Sequence, residues 1–294
     1  MTNLAPTRLD TESSAGERRP ASSGRSRGIW IHVLIIVGLL VMVVPFVWMV
    51  LGSFKTTAEL RQLPPTWIPE SPTTENYSEL FTRLDFPRYF LNSTVVAVGI
   101  TLGNIVIGSM CGYALAKLDF WGKRALFLLV LGTLLVPGVV LFLPQFVLIS
   151  NLGLVNTHLG LIFPFLAGPL GVFLMRQFML SIPDDLIQAA RVDGAGEYRI
   201  FARVVMPLCG PALATLGILT FLGAWNGFLW PLVVATTEDL YTLPVALALF
   251  AIGQQETNFG LLMAGSLVVI VPVLILFVFL QRYFTAGIAM TGIK

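Results

Sequence analysis

Charge is scarce in this chain. Only 12% of its 294 residues are Asp, Glu, Lys or Arg, 56% are hydrophobic, and the mean hydropathy is +0.83. Soluble domains carry roughly 25% charged residues, so this composition belongs to an integral membrane protein. The net charge of +2 is too small to argue for a nucleic-acid partner. Cys111 and Cys209 fall in or beside apolar segments without metal-ligand spacing, which makes them packed free thiols with no redox role. His32 and His158 are far apart, and neither stands near a Cys or carboxylate at ligand spacing, so no metal site is expected. No Gly-x-x-x-x-Gly-Lys-Ser/Thr phosphate cradle occurs. Lys55 alone is followed by Thr, and the LGSF before it lacks the glycine spacing, so this chain is not expected to hydrolyse ATP. It also lacks a serine nucleophile elbow and a pair of membrane carboxylates. The scarcity of acidic residues in its apolar runs argues against a proton-coupled carrier, which needs an ionisable relay.

Six apolar runs are long enough to cross roughly 30 Å of hydrocarbon. They cover Ile31 to Leu51, Tyr89 to Ala116, Ala125 to Leu148, Thr157 to Leu180, Leu208 to Ala235 and Phe259 to Gln281. The third and fourth hold Pro137, Pro144, Pro164 and Pro169, which predict kinks and carbonyls that neighbouring helices must satisfy. Gly99, Gly103, Gly108 and Gly112 have the spacing of close helix approach. Residues 1–27, rich in Ser, Arg, Gly and Pro, read as a disordered tail, with 28–294 as the transmembrane domain. A basic region before an apolar one is also the outline of a signal peptide. Gly28 to Leu51 is too long for a signal core and has no clear small-x-small cleavage site, so a retained anchor is expected.

Lys and Arg placement predicts orientation. With the amino terminus in the cytoplasm, the inside receives Arg8, Arg18, Arg19, Arg25, Arg27, Lys117, Lys123, Arg124, Arg176, Arg191, Arg199, Arg203, Arg282 and Lys294. The outside receives Lys55, Arg61, Arg83 and Arg88. Both termini are then cytoplasmic, and so is the stretch from Ser181 to Pro211. The segment 53–88 becomes an external loop, extended by Pro64, Pro65, Pro69 and Pro72 and packed by Trp67, Tyr77 and Phe81.

The stretch from Ser181 to Pro211, SIPDDLIQAARVDGAGEYRIFARVVMPLCGP, is the one later polar segment with both charge signs that reads as helix. Ser181 and Asp184 suit a helix start, Pro183 suits a first helical position, and Gly194 suits the left-handed turn that ends a helix. A second helix is expected from about Glu197 to Val205, ending where Pro207 and Pro211 remove amide donors. Such an elbow, held against a membrane body, can transmit a push from a soluble partner.

Gln188, Ala189, Ala190, Arg191, Val192, Asp193, Gly194 and Ala195, followed by Met206, Pro207, Leu208 and Pro211, resemble the EAA loop of ABC importer permeases. The leading Glu of that loop is Gln188 here. Further matches are SFK before the Pro-rich external stretch, then Asn76 with Tyr77, then Asn92 with Ser93. Trp225 with Asn226 resembles a pair in the sugar-importer branch. Gln281 to Phe284, Gly287 and Thr291 to Lys294 resemble the tail of maltose-transporter-type permease subunits, where the tail reaches between two ATPase subunits.

The resemblance implies an all-α, six-span type I importer permease. Its partners would be a second permease subunit, two ATPase subunits that hold ATP and Mg, and an extracytoplasmic solute-binding protein. The loop 181–207 would be the coupling element, with Gln188, Ala189, Ala190, Asp193, Gly194, Ala195 and Pro207 against the ATPase. Asp193 is expected to cap the second helix. The loop's motion would pass to the helices around Met175 and Met206.

Polar groups within the apolar runs are candidates for a solute path. Asn104, Gln145 and Asn226, with Asn92 at an edge, can hydrogen-bond hydroxyls, and Trp225 can stack on a sugar face. The same amides can instead serve as bonds between helices. A secondary carrier or a membrane scaffold would need no ATPase. The first calls for inverted halves or buried ionisable groups, which the sequence does not show.

Overall fold

The computed structural model describes the backbone of residues 24–251 and 257–291, which is helical with no β-strand among the described residues. The tail up to Ser23 and residues 292–294 lie outside the described residues, as do the side chains from 280 onward and with them those of the carboxy-terminal stretch from Gln281 to Lys294. The chain divides into a unit ending at Val47 and a second from Trp48.

Helix α1 (Gly24–Ser53) crosses both units and carries the first apolar run. In the second unit, α2 (Thr57–Leu60) and α3 (Glu75–Arg83) organise the segment expected to be external. Lys55, 2% exposed, pairs there with Glu59, 5% exposed, at 3.5 Å. The ammonium donates to the carbonyl and hydroxyl of Thr66, while Glu59 accepts from the Thr66 hydroxyl at 2.8 Å and the Glu70 amide at 3.1 Å. A buried ion pair persists only when its remaining hydrogen-bonding groups are satisfied in this way. Asn76 donates to the carbonyls of Ser53 and Lys55, each at 2.8 Å, and so fastens α3 to the end of α1.

Helix α4 (Phe86–Lys117) is the axis of the second unit. After it come α5 (Lys123–Leu134), α6 (Gly138–Asn151), α7 (His158–Ile162) with a 3-10 turn over Phe163–Phe165, and α8 (Pro169–Leu180). The spacing of small residues on α4 is used for close approach to α8. A Cβ on Gly108 would lie 3.2 Å from the Gly171 carbonyl carbon, and one on Gly112 would lie 2.8 Å from Met175 Cβ and 2.9 Å from the Arg176 amide nitrogen. Only a missing side chain lets the two backbones approach so closely.

The remaining helices are α9 (Asp184–Val192), α10 (Glu197–Ile200), α11 (Met206–Leu208), α12 (Gly210–Trp225), α13 (Leu229–Val234), α14 (Leu243–Ala251) and α15 (Phe259–Thr291). Among the described residues, three stretches, Trp30–Ser53, Phe86–Lys117 and Phe259–Phe279, are long and apolar enough to cross a membrane unbroken. Three helix pairs qualify when each is taken together across its bend: α5 with α6 at 102°, His158–Phe165 with α8 at 45°, and Glu197–Leu208 with α12 at 81°. Of the four prolines expected to kink the third and fourth runs, Pro137 and Pro169 stand at the bends, whereas Pro144 lies inside the continuous α6 and Pro164 in the 3-10 turn.

The fifth run departs from expectation. It is not one helix from Leu208 to Ala235, because α12 stops at Trp225 and Asn226 turns back to donate to the Leu222 carbonyl at 3.0 Å. An Asn that bonds its own preceding turn competes with helix propagation. The chain resumes as the separate α13.

Candidate functional site: a clamped helical elbow and a cavity

Helix α8 ends with Ser181 donating through Oγ to the Phe178 carbonyl at 2.6 Å, so Ser181 closes one helix and does not open the next. Pro183 precedes α9 in extended conformation, and Asp184 and Asp185 occupy the first turn of α9, where the helix dipole favours negative charge. The end of α9 is a Schellman turn. Gly194, at φ +77°, sends its amide to the Arg191 carbonyl, and the Ala195 amide reaches back to the Ala190 carbonyl, both at 3.0 Å.

The second arm is longer than expected. It starts at Glu197 with Gly196 as its cap and no side-chain cap bond, so Asp193 is the last residue of the first arm rather than a cap on the second. It does not stop at Val205. Phe201–Val205 form a π turn in which the Met206 amide reaches the Phe201 carbonyl, and helix continues through Pro207 to Leu208 before the 81° bend. Proline has no amide and clashes with the carbonyl four residues back. The wider π turn ahead of it makes room for the ring.

One face of the elbow is anchored. Ile187, Ile200 and Val205 are buried with Met175, Met179, Cys209 and Tyr113 in one apolar cluster, and Ala190, Ala195 and Met206 pack against it. Both arms are also tied to the end of α4. Lys117 Nζ donates to the Ile182 carbonyl and to Asp184 Oδ1, each at 2.6 Å, at the head of the first arm. Tyr113, one turn earlier, donates to Glu197 Oε2 at 2.6 Å at the head of the second. Arg191 Nε closes the elbow on Glu197 Oε1 at 2.8 Å. The ammonium of Lys117 beside it holds the Asp184 carboxyl below the usual carboxylate range.

The other face is open. Gln188, Ala189, Asp193, Gly194 and Pro207 are exposed, while Ala190 and Ala195 are half-buried against the cluster. Sequence reasoning missed the large apolar groups on that open side. Val192 is 87% exposed and Tyr198 76%, with Leu186 also exposed. Leu186 and Val192 stand three residues to either side of Ala189, and that spacing was the available signal for these two. Large apolar side chains left exposed beside an anchored face are candidates for contact with another chain.

A cavity of about 360 Å³ lies between α4, α6, the α7 turn, α12 and α13. Asn104 and Gln145 both line it, so two of the predicted path residues come together. The Asn104 amide is already engaged, accepting from the Gly168 amide at 2.8 Å and donating to the carbonyls of Phe165 and Ile100 at 2.6 and 3.1 Å. It thereby satisfies the backbone freed where the chain breaks before α8. Gln145 and Thr220 also line the cavity.

Trp225 and Asn226 are not among the lining residues. Trp225 is 1% exposed, stacks on Phe221 with centroids 5.6 Å apart, and donates to the Val269 carbonyl at 3.1 Å. Trp230 takes the cavity position instead. Its ring meets Phe142 and Phe165 edge-on, and its indole N–H donates to the Gly160 carbonyl at 3.2 Å. Asn92 is spent on the carbonyls of Asp239 and Tyr241 and on His158 Nε2, 3.0 Å away. No group of His, Cys, Asp and Glu that could hold a metal occurs among the described residues.

Bent apolar helices around a cavity, joined to a clamped elbow with exposed apolar side chains, are the outline of a polytopic membrane transport subunit. The chain belongs to the family described as binding-protein-dependent transport system inner membrane component, whose model matches residues 104–289. It is thus the non-catalytic inner-membrane permease subunit of an ATP-driven importer, hydrolysis being the work of a partner ATPase.

It is 42% identical to the arabinooligosaccharides transport system permease protein AraQ of Halalkalibacterium halodurans, over 86% of this chain and 92% of the relative. It is 34% identical to the diacetylchitobiose uptake system permease protein NgcG of Streptomyces coelicolor, over 92% and 91%. Against the sn-glycerol-3-phosphate transport system permease protein UgpE of Rhizobium meliloti the identity is 30%, over 94% and 99%. A solved bacterial ABC transporter involved in import of the acidic polysaccharide alginate has a chain of like fold, with TM-score 0.80 and 25% identity over 90% of this chain and 100% of that one.

Proposed function

We propose that this permease carries a sugar or related polyol through the α4–α6–α12–α13 cavity and is driven through the elbow at 181–207. Gln188, Ala189, Asp193, Gly194 and Pro207 are the exposed contacts to the ATPase, helped by Leu186, Val192 and Tyr198. Ala190 and Ala195 seat the elbow on the membrane body. The chain spans six times with both termini in the cytoplasm, each bent pair counting as one span. Residues 1–27 form a cytoplasmic tail, 28–294 the membrane domain and 53–88 an external loop. A second permease subunit stands beside it, two ATPase subunits below it hold ATP and Mg, and a solute-binding protein docks outside.

The observation that carries this reading is the double tie of α4 to the elbow, by Tyr113 to Glu197 and by Lys117 to Asp184. Val96, Ile100 and Asn104 of the same helix line the cavity, so a push on the elbow acts on a cavity wall. Sugar as cargo draws support from the relatives' names and from a mostly aliphatic lining that carries the amides of Asn104 and Gln145, the Thr220 hydroxyl and two aromatic rings, without a charged side chain. A secondary carrier or scaffold has no use for such an elbow.

The test is Gly194→Val in the complex assembled with its ATPase and binding protein. Its β-branched side chain cannot adopt φ +77° without strain. Loss of solute-stimulated ATPase activity with assembly intact supports the coupling role. Undiminished stimulation, or the absence of any co-purifying ATPase, overturns it.

A further inference from the structure

We propose that the groove formed by the α4–α5 loop, the start of α5 and Arg176 of α8 binds the headgroup of an anionic phospholipid. The five residues 118–122 join two apolar helices. So short a link holds the loop at the ends of both helices, at the depth of lipid headgroups. The groove is an open surface depression of about 770 Å³, and Phe120, Trp121, Lys123, Arg124, Phe127 and Arg176 are among the residues along it.

Two features select the occupant. The first is an aromatic residue that no described residue covers: Trp121 is 99% exposed, and Phe120 beside it is 40% exposed. An indole so placed gains by lying in the membrane interface, where its ring and N–H meet apolar and polar surroundings together. The second is positive charge. Arg124 is exposed on the first turn of α5. The Arg176 guanidinium lies 3.7 Å over the Phe127 ring, and its Nε donates to the Leu115 carbonyl at 3.2 Å, so its terminal N–H groups remain for a ligand. Lys123 is held by the Leu118 carbonyl at 2.7 Å and stands 3.5 Å from Asp119, whose fully exposed carboxylate is the anionic group beside the groove. With Lys123 offset by Asp119, the two arginines supply the excess positive charge, in the planar form that suits a phosphate.

A free phosphate would satisfy the arginines but leave Trp121 and Phe120 in water. A lipid meets both demands, and Leu128 and Leu129, 57% and 64% exposed on α5, continue the apolar surface along which its chains would lie. The proposal does not depend on how the elbow acts.

The experiment uses the assembled importer in nanodiscs of zwitterionic lipid containing a titrated fraction of brominated phosphatidylglycerol, with brominated phosphatidylcholine as control. The chain has six tryptophans, so quenching at Trp121 is read as the difference between the wild type and Trp121→Phe. One cationic side chain near an anionic lipid surface contributes about a five-fold preference. With Arg124 and Arg176 together, half-maximal quenching is expected at a roughly 25-fold lower fraction of phosphatidylglycerol than of phosphatidylcholine, and Arg124→Gln should reduce that preference to about five-fold. Equal quenching by both lipids in the wild type would reduce Trp121 to an unselective belt residue and overturn the proposal. So would the absence of quenching by either, which would mean that a protein partner covers the groove. Reversal of the quenching by inorganic phosphate would show a free-anion site and overturn it as well.

Discussion

The phenol of Tyr113 donates a 2.6 Å hydrogen bond to Glu197, joining the last turns of α4 to the first residue of the elbow's second arm. Nine residues earlier on α4, Asn104 lines the cavity and pins the break before α8. A helix rises about 1.5 Å per residue, so one rigid element joins the elbow to a cavity wall over roughly 14 Å.

Tyr113→Phe keeps the ring that packs 5.4 Å from Phe201 and removes only the hydroxyl. A hydrogen bond of this kind contributes about 1 kcal/mol net, equivalent to roughly a five-fold change in coupling. Solute-stimulated ATPase activity should fall by about that factor with assembly and basal activity unchanged. A wild-type response would show that this bond carries none of the motion.

The tie between Lys117 and Asp184 sets a pH window. The folded-state carboxyl titrates below its ordinary value because of the Lys117 hydrogen bond. The tie is therefore complete above about pH 4, the ordinary carboxylate value, and is lost as pH falls through the lower folded value. A spin label at Gln188→Cys, in a Cys111→Ala background, should report constant mobility from pH 8 to about 5 and increased mobility only below about 4. Asp184→Asn should be as mobile at neutral pH as the parent is in acid.

Gly194 has open space around it, so its constraint is conformational rather than steric. Gly194→Asn, a residue that tolerates the left-handed region, should retain most stimulated activity. Gly194→Ala should cost about 1 kcal/mol of elbow stability, and Val more. Hydrogen exchange at the Ala195 amide, which closes the turn, would report the order.

Trp225 and Gln145 should separate by phenotype. Trp225→Ala removes a fully buried ring and should destabilise the fold by about 3–5 kcal/mol, seen as lower thermal stability of the purified complex. Gln145→Ala lies on the cavity wall and should alter the transport KM with the melting temperature unchanged. The opposite pattern would move the solute path to Trp225.

Gly112→Leu should disrupt the α4–α8 contact. Its Cβ alone would fall 2.8 Å from Met175 Cβ and 2.9 Å from the Arg176 amide nitrogen, against backbone that cannot turn aside. Overpacking of this kind costs about 1–3 kcal/mol or more, and reduced accumulation of the folded subunit would register it.

Local pattern alone was enough for the membrane class, the unbroken spans of α1, α4 and α15, the α4 glycine stripe and the elbow's turn at Gly194. Each of these rests on local chemistry: transfer of apolar side chains, a missing Cβ, or a backbone angle that favours glycine. What lay beyond a local pattern was decided by tertiary structure. Asn104 was legible as a polar group in an apolar run, but its three partners come from its own helix and from a turn more than sixty residues away. Nothing in the order Trp225, Asn226, Trp230 says which ring is buried and which lines the cavity, because that depends on how α12 ends and how α13 folds back. The continuation of the second arm through Pro207 was hidden for a related reason. Proline's local effect is to end a helix, whereas here a π turn and burial of Val205 and Cys209 against α8 and α12 keep it going. The two ties to α4 join residues 67 and 84 positions apart, and only the packing of α4 against α8 and the elbow brings them within bonding distance.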